Sequence, residues 1–334
     1  MGCENCIMSK IKNNNSSSIQ ISERDLNSCN KLNTYDWLKN LPDASDTENL
    51  VEIQFKNTRK EFYVNEHKIN LNKGDIVAVE ANPGHDIGIV SLTGPLASLQ
   101  FKNKVNNRNN VEIKKIYRKA KPGDVQKWKE GKELENLTMI KARKISDELK
   151  LNMKIGDVEY QGDKSKAIFY YIADGRIDFR ELIKKLASEF KVSIEMRQIG
   201  ARQEAGRIGG IGSCGKELCC STWKTDLGSV TIDAAKYQNL SLNAQRFAGQ
   251  CGKLKCCLMY ELDTYMEAWQ EFPDELLELE TKKGTAYKHK VDVLKKVIWY
   301  TFNPGSPDDL IPLDVSSVKN IIMLNKKGIK PDNI

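Results

Sequence analysis

Residues 168–196, with the sequence IFYYIADGRIDFRELIKKLASEFKVSIEM, decide the fold class of this 334-residue chain. The stretch opens with the apolar and aromatic run 168–172, which is typical of a buried strand. Apolar side chains then recur at i, i+3, i+4 and i+7 between positions 179 and 190, and this spacing predicts an amphipathic helix. Alternation at 192–196 predicts a further strand. A strand, a helix and a strand therefore follow one another directly.

Upstream of this stretch, the sequence predicts one more helix and one more strand. Four apolar residues lie at roughly helical spacing: Leu134, Leu137, Ile145 and Leu149. Alternation at 151–155 predicts a strand, and 161–164 has the composition of a hairpin turn. The order α-β-β-α-β predicts an α+β fold with a central mixed or antiparallel sheet.

Both flanks of this region have strand character. Residues 50–100 alternate between apolar and polar and are interrupted by turn residues at 57–60 and 82–84, which predicts a β meander closed into a small barrel. Near the C-terminus, strands around 291–293 and 297–299 flank a turn, and 314–324 has the pattern of a short helix. The central sheet is therefore expected to be flanked by small β-barrel-like units.

These patterns divide the chain into four segments. Residues 1–32 are rich in Asn, Ser and Lys and are expected to form a disordered, cysteine-containing tail. Residues 33–125 are expected to form a small β domain with a basic linker. Residues 126–280 are expected to form the α+β domain, and 281–334 a small C-terminal β unit.

Composition excludes several classes of protein. No stretch approaches the ~20 apolar residues that a membrane span needs, so the sequence excludes an integral membrane protein. The N-terminus has no apolar signal region, which predicts a cytoplasmic location. The three histidines, His67, His85 and His289, are far apart in sequence, which argues against a histidine-based triad or metal site.

A basic segment lies at 102–132, where eleven Lys and Arg residues face only three acidic ones. One interpretation is a solvated linker or helix face. The other is contact with the phosphates of a nucleic acid, since the net charge of +7 permits such a partner. The candidate nucleic-acid contacts are Lys114, Lys115, Arg118, Lys119 and Lys121.

The cysteines give the strongest functional signal. Residues 212–220 and 249–257 both read G-x-C-G-K-x-x-C-C, with an offset of 37 positions. Thiolates select zinc, copper(I) or iron–sulfur clusters. Each motif offers three sulfurs, and adjacent cysteines point in different directions, which favours an iron–sulfur cluster over a single zinc ion. The candidate ligands are Cys214, Cys219, Cys220, Cys251, Cys256 and Cys257, which we expect to converge.

Two other assignments for these cysteines stay open. Zinc would be consistent with a nucleic-acid-binding module, especially beside the basic segment. A redox dithiol would be consistent with a thiol oxidoreductase, although neither motif is C-x-x-C. Cys3, Cys6 and Cys29, in the N-terminal tail, form a possible auxiliary set of metal ligands.

Several stretches around the cysteines resemble the RicT (YaaT) family of bacterial cytoplasmic regulators. These stretches are RIDFREL at 176–182, EMRQIGARQEA at 195–205, GGIGSCG at 209–215, AKYQNLSLN at 235–243 and CGKLKCCLMYE at 251–261. The resemblance is close over 150–265 and looser over 50–100. The tail and the last 60 residues carry little of it.

The resemblance implies a specific function. Members of the family form a complex with two small helical proteins, and that complex carries 4Fe–4S clusters. The complex affects RNA processing through ribonuclease Y, and thereby cell development. The resemblance implies a non-catalytic regulator or scaffold, with the six repeated cysteines as the cluster ligands.

Overall fold

The structure is a computed structural model that describes residues 31–35, 49–105, 113–240, 244–273, 278–303 and 309–334. The chain divides into two compact units, 1–227 and 228–334. Cys3, Cys6 and Cys29, and most of the expected tail, lie outside the described residues. No helix within the described ranges is long and apolar enough to cross a membrane.

The first unit contains a closed five-stranded barrel, which confirms the predicted small barrel. Its strands are β1 (Leu50–Gln54), β2 (Lys60–Val64), β3 (Ile76–Glu80), β4 (His85–Leu92) and β5 (Lys114–Lys119), in the spatial order β1-β2-β5-β3-β4. Alternating residues of these strands fill the barrel interior: Val51, Ile53, Tyr63, Val77, Val79, Val90 and Ile116.

Strand β5 was not predicted from the sequence, because lysine and arginine dominate it. It pairs in parallel with β2 and in antiparallel fashion with β3. Ile116, which is fully buried, is its contribution to the barrel interior. One inward-facing apolar residue therefore suffices in this strand, because β2 and β3 provide its backbone hydrogen-bond partners.

Two helices pack on the barrel. Helix α1 (Gly94–Val105) follows β4 and contacts β1. Helix α2 (Pro122–Glu148) has 27 residues, which corresponds to about 40 Å. Val125 and Trp128, near its start, pack outside the barrel on β3 and β4, whereas Ala142, near its end, belongs to the core of the next sheet. Helix α2 therefore joins the two halves of this unit.

That next sheet has three strands and confirms the predicted α-β-β-α-β order. Its elements are β6 (Lys154–Tyr160), β7 (Lys166–Ile172), α3 (Arg180–Phe190) and β8 (Ser193–Gln198). Strand β7 pairs in antiparallel fashion with β6 and in parallel with β8, so the sheet is mixed. Phe169 of β7 and Leu182 and Leu186 of α3 are fully buried between sheet and helix.

The expected apolar face of α2 is only half right. Ile145 and Leu149 pack against the core of the three-stranded sheet. Leu134 and Leu137 are 45% and 63% exposed. The buried side of the helix also includes the polar residues Glu135 and Thr138, which have hydrogen-bond partners inside the protein.

The first unit ends with two short helices that carry the first cysteine motif. Helix α4 (Ala201–Ile208) follows β8, and α5 (Cys219–Thr222) begins within the motif. These two helices pack directly against each other.

The second unit combines short helices with a four-stranded sheet. Its helices are α6 (Ile232–Tyr237), α7 (Ala244–Phe247), α8 (Cys257–Tyr260) and α9 (Leu262–Trp269). The strands β9 (Leu279–Thr281), β10 (Gly284–Asp292), β11 (Val297–Thr301) and β12 (Ile311–Asp314) form an antiparallel sheet, and α10 (Val315–Lys326) follows it. The predicted C-terminal strands and final helix are thus confirmed.

A buried ionic cluster lies where the barrel, α2 and the three-stranded sheet meet in the first unit. Its members are Lys56, Arg59, Asp86, Glu135, Asp157, Glu159 and Arg207. The Nζ atom of Lys56 lies 2.8 Å from Oε2 of Glu135 and 2.7 Å from Oδ1 of Asp157. Arg207, at the end of α4, places Nη2 at 2.8 Å from Oδ2 of Asp157.

Arg59 completes the ionic cluster from the barrel side. Its guanidinium lies 2.6 Å from Oδ2 of Asp86 and 3.0 Å from Oε1 of Glu159. The hydroxyl of Tyr170 donates to the other oxygen of Glu159 at 2.7 Å. Every member of the cluster is at least four-fifths buried, so these charges depend on one another for compensation.

Candidate metal centre

The two cysteine motifs fold into the same local structure. In the first, a bridge joins Ile211 and Glu217 into a tight hairpin. The N–H of Gly212 donates to the carbonyl of Lys216 at 2.8 Å, and the N–H of Gly215 donates to the carbonyl of Gly212 at 3.0 Å. We call this hairpin, residues 210–218, together with α5, the first cysteine loop.

The second motif repeats each of these contacts 37 positions later. The bridge joins Ala248 and Leu254. Gly249 donates to Lys253 at 2.8 Å, and Gly252 donates to Gly249 at 2.9 Å. This hairpin, residues 247–255, together with Cys256 and α8 forms the second cysteine loop. The repeat seen in the sequence is therefore a repeat of structure.

Glycines make the shared turn possible. Gly215 has φ of +76° and Gly252 has φ of +70°, a backbone region that side chains disfavour. The first glycine of each hairpin lies beside the first sulfur: a Cβ on Gly212 would lie 3.4 Å from Sγ of Cys214, and one on Gly249 would lie 3.5 Å from Sγ of Cys251. The two sulfurs therefore occupy equivalent positions in the two loops.

The thiols differ in their accessibility. Cys214 is exposed, Cys219 is half-buried and Cys220 is buried. In the second unit, Cys251, Cys256 and Cys257 are all half-buried. No disulfide joins these six described cysteines.

Packing against α4 explains the burial of Cys220. A Cβ on Gly206 would lie only 2.6 Å from the carbonyl oxygen of Cys220, so this glycine permits the close approach of α4 and α5. In the second unit, α6 packs on the other loop in a comparable way: Ala234 and Ala235 form a small core with Leu258. Each loop is thus supported by a neighbouring short helix.

Neither unit gathers a complete set of ligands from its described residues, because no group of three or more His, Cys, Asp or Glu side chains is placed to hold a metal ion. The chemistry of the cysteine thiols fits zinc or an iron–sulfur cluster, since both take thiolates. A loop that held either group would need further donors from elsewhere. The convergence of the six cysteines stays a prediction.

The predicted nucleic-acid contacts lie on and just after β5, and most of them already have acidic partners. Lys119 lies 2.7 Å from Asp75, and Lys115 lies 3.6 Å from Glu66. Arg118 pairs with Asp124 at the start of α2. Lys114 is half-buried, and Lys121, whose N–H donates to Asp124, is exposed. These pairs partly neutralise the basic segment, and a role in binding nucleic acid stays a prediction.

Sequence reasoning missed the ionic cluster. Its members are scattered between positions 56 and 207, with no motif to connect them. The only available signal was the presence of charged residues inside apolar patterns, such as Asp157 and Glu159 in β6. That signal alone does not identify their partners.

Three consecutive stretches of the chain match known protein families. Residues 114–199 match the PSP1 C-terminal conserved region, 229–272 match the third domain of PSP1-like proteins, and 280–327 match the YaaT C-terminal domain. The stage 0 sporulation protein YaaT of Bacillus subtilis (strain 168) is 39% identical over 252 residues, which cover 75% of this chain and 88% of that protein. The chain belongs to the YaaT family. The resemblance to the RicT (YaaT) family is thereby confirmed.

Two further relatives of this YaaT-family chain match a smaller part of it. An uncharacterized protein of Schizosaccharomyces pombe is 30% identical over 217 residues, which are 57% of this chain but 29% of that protein. Protein PSP1 of Saccharomyces cerevisiae is 49% identical over 45 residues, which are 14% of this chain and 5% of that protein. No solved structure matches the chain.

Proposed function

We propose that this protein is a non-catalytic, cytoplasmic regulator that binds a 4Fe–4S cluster through cysteines of its two cysteine loops. Membership of the YaaT family supports the regulatory role. The cluster is supported by one observation above all: two loops 37 positions apart share every backbone hydrogen bond of the hairpin and present a thiol at the same place. Such duplication is expected of a binding site rather than of a structural turn.

By its resemblance to RicT proteins, we further propose that it works in a complex with small helical proteins and modulates RNA processing by ribonuclease Y. In this role the cluster would be a structural or sensing group. The thiolates of the two cysteine loops would hold it.

Anaerobic purification followed by iron, sulfide and zinc analysis tests the cluster. We expect iron and sulfide in similar amounts, with broad absorption near ~400 nm from thiolate-to-iron charge transfer. Cys219→Ser and Cys256→Ser should each lower the iron content, and both should reduce stability, because metal binding energy is also folding energy.

The matched control is Ser213→Ala, which changes an exposed residue of the first cysteine loop without removing a sulfur. It should keep the iron of the wild type. A colourless protein that contains stoichiometric zinc would show that the site binds zinc rather than an iron–sulfur cluster. A protein that contains neither metal would contradict the proposal, and turnover with a thiol reductant would favour a thiol oxidoreductase instead.

A further inference from the structure

Helix α2 presents an apolar strip that the described residues of the first unit leave exposed to solvent. Leu134, Leu137 and Ile140 are 45%, 63% and 44% exposed. Because residues three or four positions apart lie side by side on a helix, these three form one continuous strip. Residues 133, 141 and 144, beside the strip, are exposed as well. We call residues 130, 133, 134, 137, 140, 141 and 144 the outer face of α2.

The two ends of this strip carry charges of opposite sign. Glu130 and Glu133 lie on its N-terminal side. Lys141 and Lys144 lie on its C-terminal side. Two of the four have partners in the chain: Oε2 of Glu130 lies 2.5 Å from a lysine, Lys164, and Nζ of Lys141 lies 2.9 Å from a glutamate, Glu189. Both pairs are exposed to solvent, where an ion pair contributes little to stability. The charges therefore stay available to a second molecule.

A second copy of α2 in antiparallel orientation complements the apolar strip. A two-fold axis beside Leu137 sets this residue opposite its own copy, and it sets residues at equal distances before and after Leu137 opposite each other. Leu134 and Ile140 lie three positions to either side of Leu137. Each Leu134 would therefore pack against Ile140 of the other copy, and the burial of these apolar side chains would stabilise the pair.

The flanking charges fit the same arrangement. Glu133 and Lys141 lie four positions to either side of Leu137. Glu130 and Lys144 lie seven positions to either side of it. Each glutamate would therefore face a lysine of the other copy, and the symmetry would form each of these ion pairs twice.

Other pairings of the outer face are disfavoured by the same charges. Parallel pairing of two copies would place Glu133 opposite Glu133 and Lys141 opposite Lys141, and like charges that face each other across an interface are unfavourable. A foreign helix with one sign of charge throughout would meet repulsion at one end of the strip. The charges therefore favour a second copy in the antiparallel orientation.

The length of the outer face indicates the strength of such a contact. Residues 130 to 144 span about 20 Å of helix, at about 1.5 Å per residue. One helix pair of this length buries less area than the ~1,200 Å² at the lower end of standard interfaces. Association should therefore be weak and should depend on protein concentration.

We propose that the outer face of α2 is a self-association surface, through which two copies of this chain form a weak antiparallel dimer with Leu137 at the two-fold axis. The inference does not depend on the proposed function, because no cysteine or metal takes part in the contact.

Sedimentation equilibrium of the full chain tests the dimer, in reducing buffer so that disulfides cannot link two copies. Measurements from roughly 1 to 300 µM cover the affinities expected of a small interface, and the wild type should change from monomer to dimer across this range. Leu137→Glu, which places two carboxylates at the axis, should weaken the dimer by about tenfold or more. The matched control is Leu99→Glu, which makes the same change at an exposed position of α1 and should leave association unchanged.

Charge reversal tests the orientation. Glu133→Lys and Lys141→Glu should each weaken the dimer by about three- to tenfold, because each change replaces an attraction with a repulsion at two symmetric places. The double variant again sets opposite charges against each other, so its affinity should return to within about twofold of the wild type. Without this rescue, the antiparallel arrangement is wrong.

Three results would overturn the proposal. The first is a wild type that stays monomeric across the whole concentration range. The second is a dimer that Leu137→Glu leaves intact, since that dimer would use another surface. The third is a monomeric wild type whose melting temperature falls with Leu137→Glu but not with Leu99→Glu, since the outer face would then be covered within one chain.

Discussion

Glu135 is a carboxyl group in the ionic cluster, where four carboxylates face only three cations. Burial raises its pKa to about 7, although Lys56 at 2.8 Å acts in the opposite direction. Burial raises the pKa of Asp86 as well. The pKa of Lys56 is raised despite its burial, because Glu135 and Asp157 stabilise its charge. The cluster therefore keeps its cations charged and holds a proton on the acidic side.

This arrangement predicts how stability depends on pH. Between pH 4.5, the ordinary pKa of Glu135, and about 7, the folded chain holds a proton that the unfolded chain releases. The free energy of unfolding should therefore fall as the pH rises through this window, by on the order of 3 kcal/mol from this group. Glu135→Gln should remove that part of the pH dependence, as measured by denaturant unfolding at several pH values.

Glu133→Gln is the matched control, because it makes the same change at an exposed position of the same helix. Its pH dependence should follow that of the wild type. If Glu135→Gln and the wild type lose the same stability between pH 4.5 and about 7, the carboxyl group of Glu135 is not protonated in the folded chain.

At the scale of single elements, the sequence predicts local structure well where the deciding residues lie close together in the chain. It predicts burial poorly where a side chain's partner lies far away in the sequence. Helical spacing correctly indicated the C-terminal part of α2 but only part of its buried side. The burial of Thr138 is compensated by a hydrogen bond of 3.0 Å between its hydroxyl and that of Tyr160. The burial of Glu135 is compensated by its ion pair with Lys56. Neither partner can be found from periodicity. The cysteine loops were visible in the sequence because their glycines and cysteines act locally, within nine residues.

Gly206 offers a test of how α4 supports the first cysteine loop. A methyl group there would clash with the backbone of Cys220, so Gly206→Ala should destabilise the protein by about 1–3 kcal/mol, despite the better helix propensity of alanine. Gly123→Ala changes a glycine of α2 that has no neighbour within 4 Å of the added carbon. It should be neutral or slightly stabilising. Thermal unfolding of both variants distinguishes them, and equal melting temperatures would contradict the close contact.

At the scale of the whole molecule, charge links distant parts of the first unit. Arg207 is 6% exposed and bridges Asp157 and Glu159, whereas Arg180 is 86% exposed beside Asp178. The sequence motif RIDFREL at 176–182 includes Arg180, whereas no motif singles out Arg207. Only the structure distinguishes the buried ion pairs of Arg207 from the solvated ion pair of Arg180, because burial depends on how the barrel, α2 and the three-stranded sheet pack together.

Arg207→Met should therefore destabilise the protein by about 3–5 kcal/mol, because it removes one of the cations that compensate the buried carboxylates Asp157 and Glu159. Arg180→Met, the matched control, should leave the unfolding midpoint unchanged. Denaturant unfolding at pH 7 is the measurement. Similar midpoints for the two variants would mean that the ionic cluster rearranges around the loss.

The position of β5 determines where this chain can be divided. Because β5 lies between β2 and β3, the first four strands cannot close on themselves, and a fragment that ends before residue 114 exposes two strand edges. Such edges promote aggregation. Conversely, a fragment of residues 114–199, the stretch matched to the PSP1 region, would contain β5 without the other four strands of the barrel. Fragments intended for expression should keep residues 49–148 together, and a nascent chain cannot complete its barrel until residue 119 has left the ribosome.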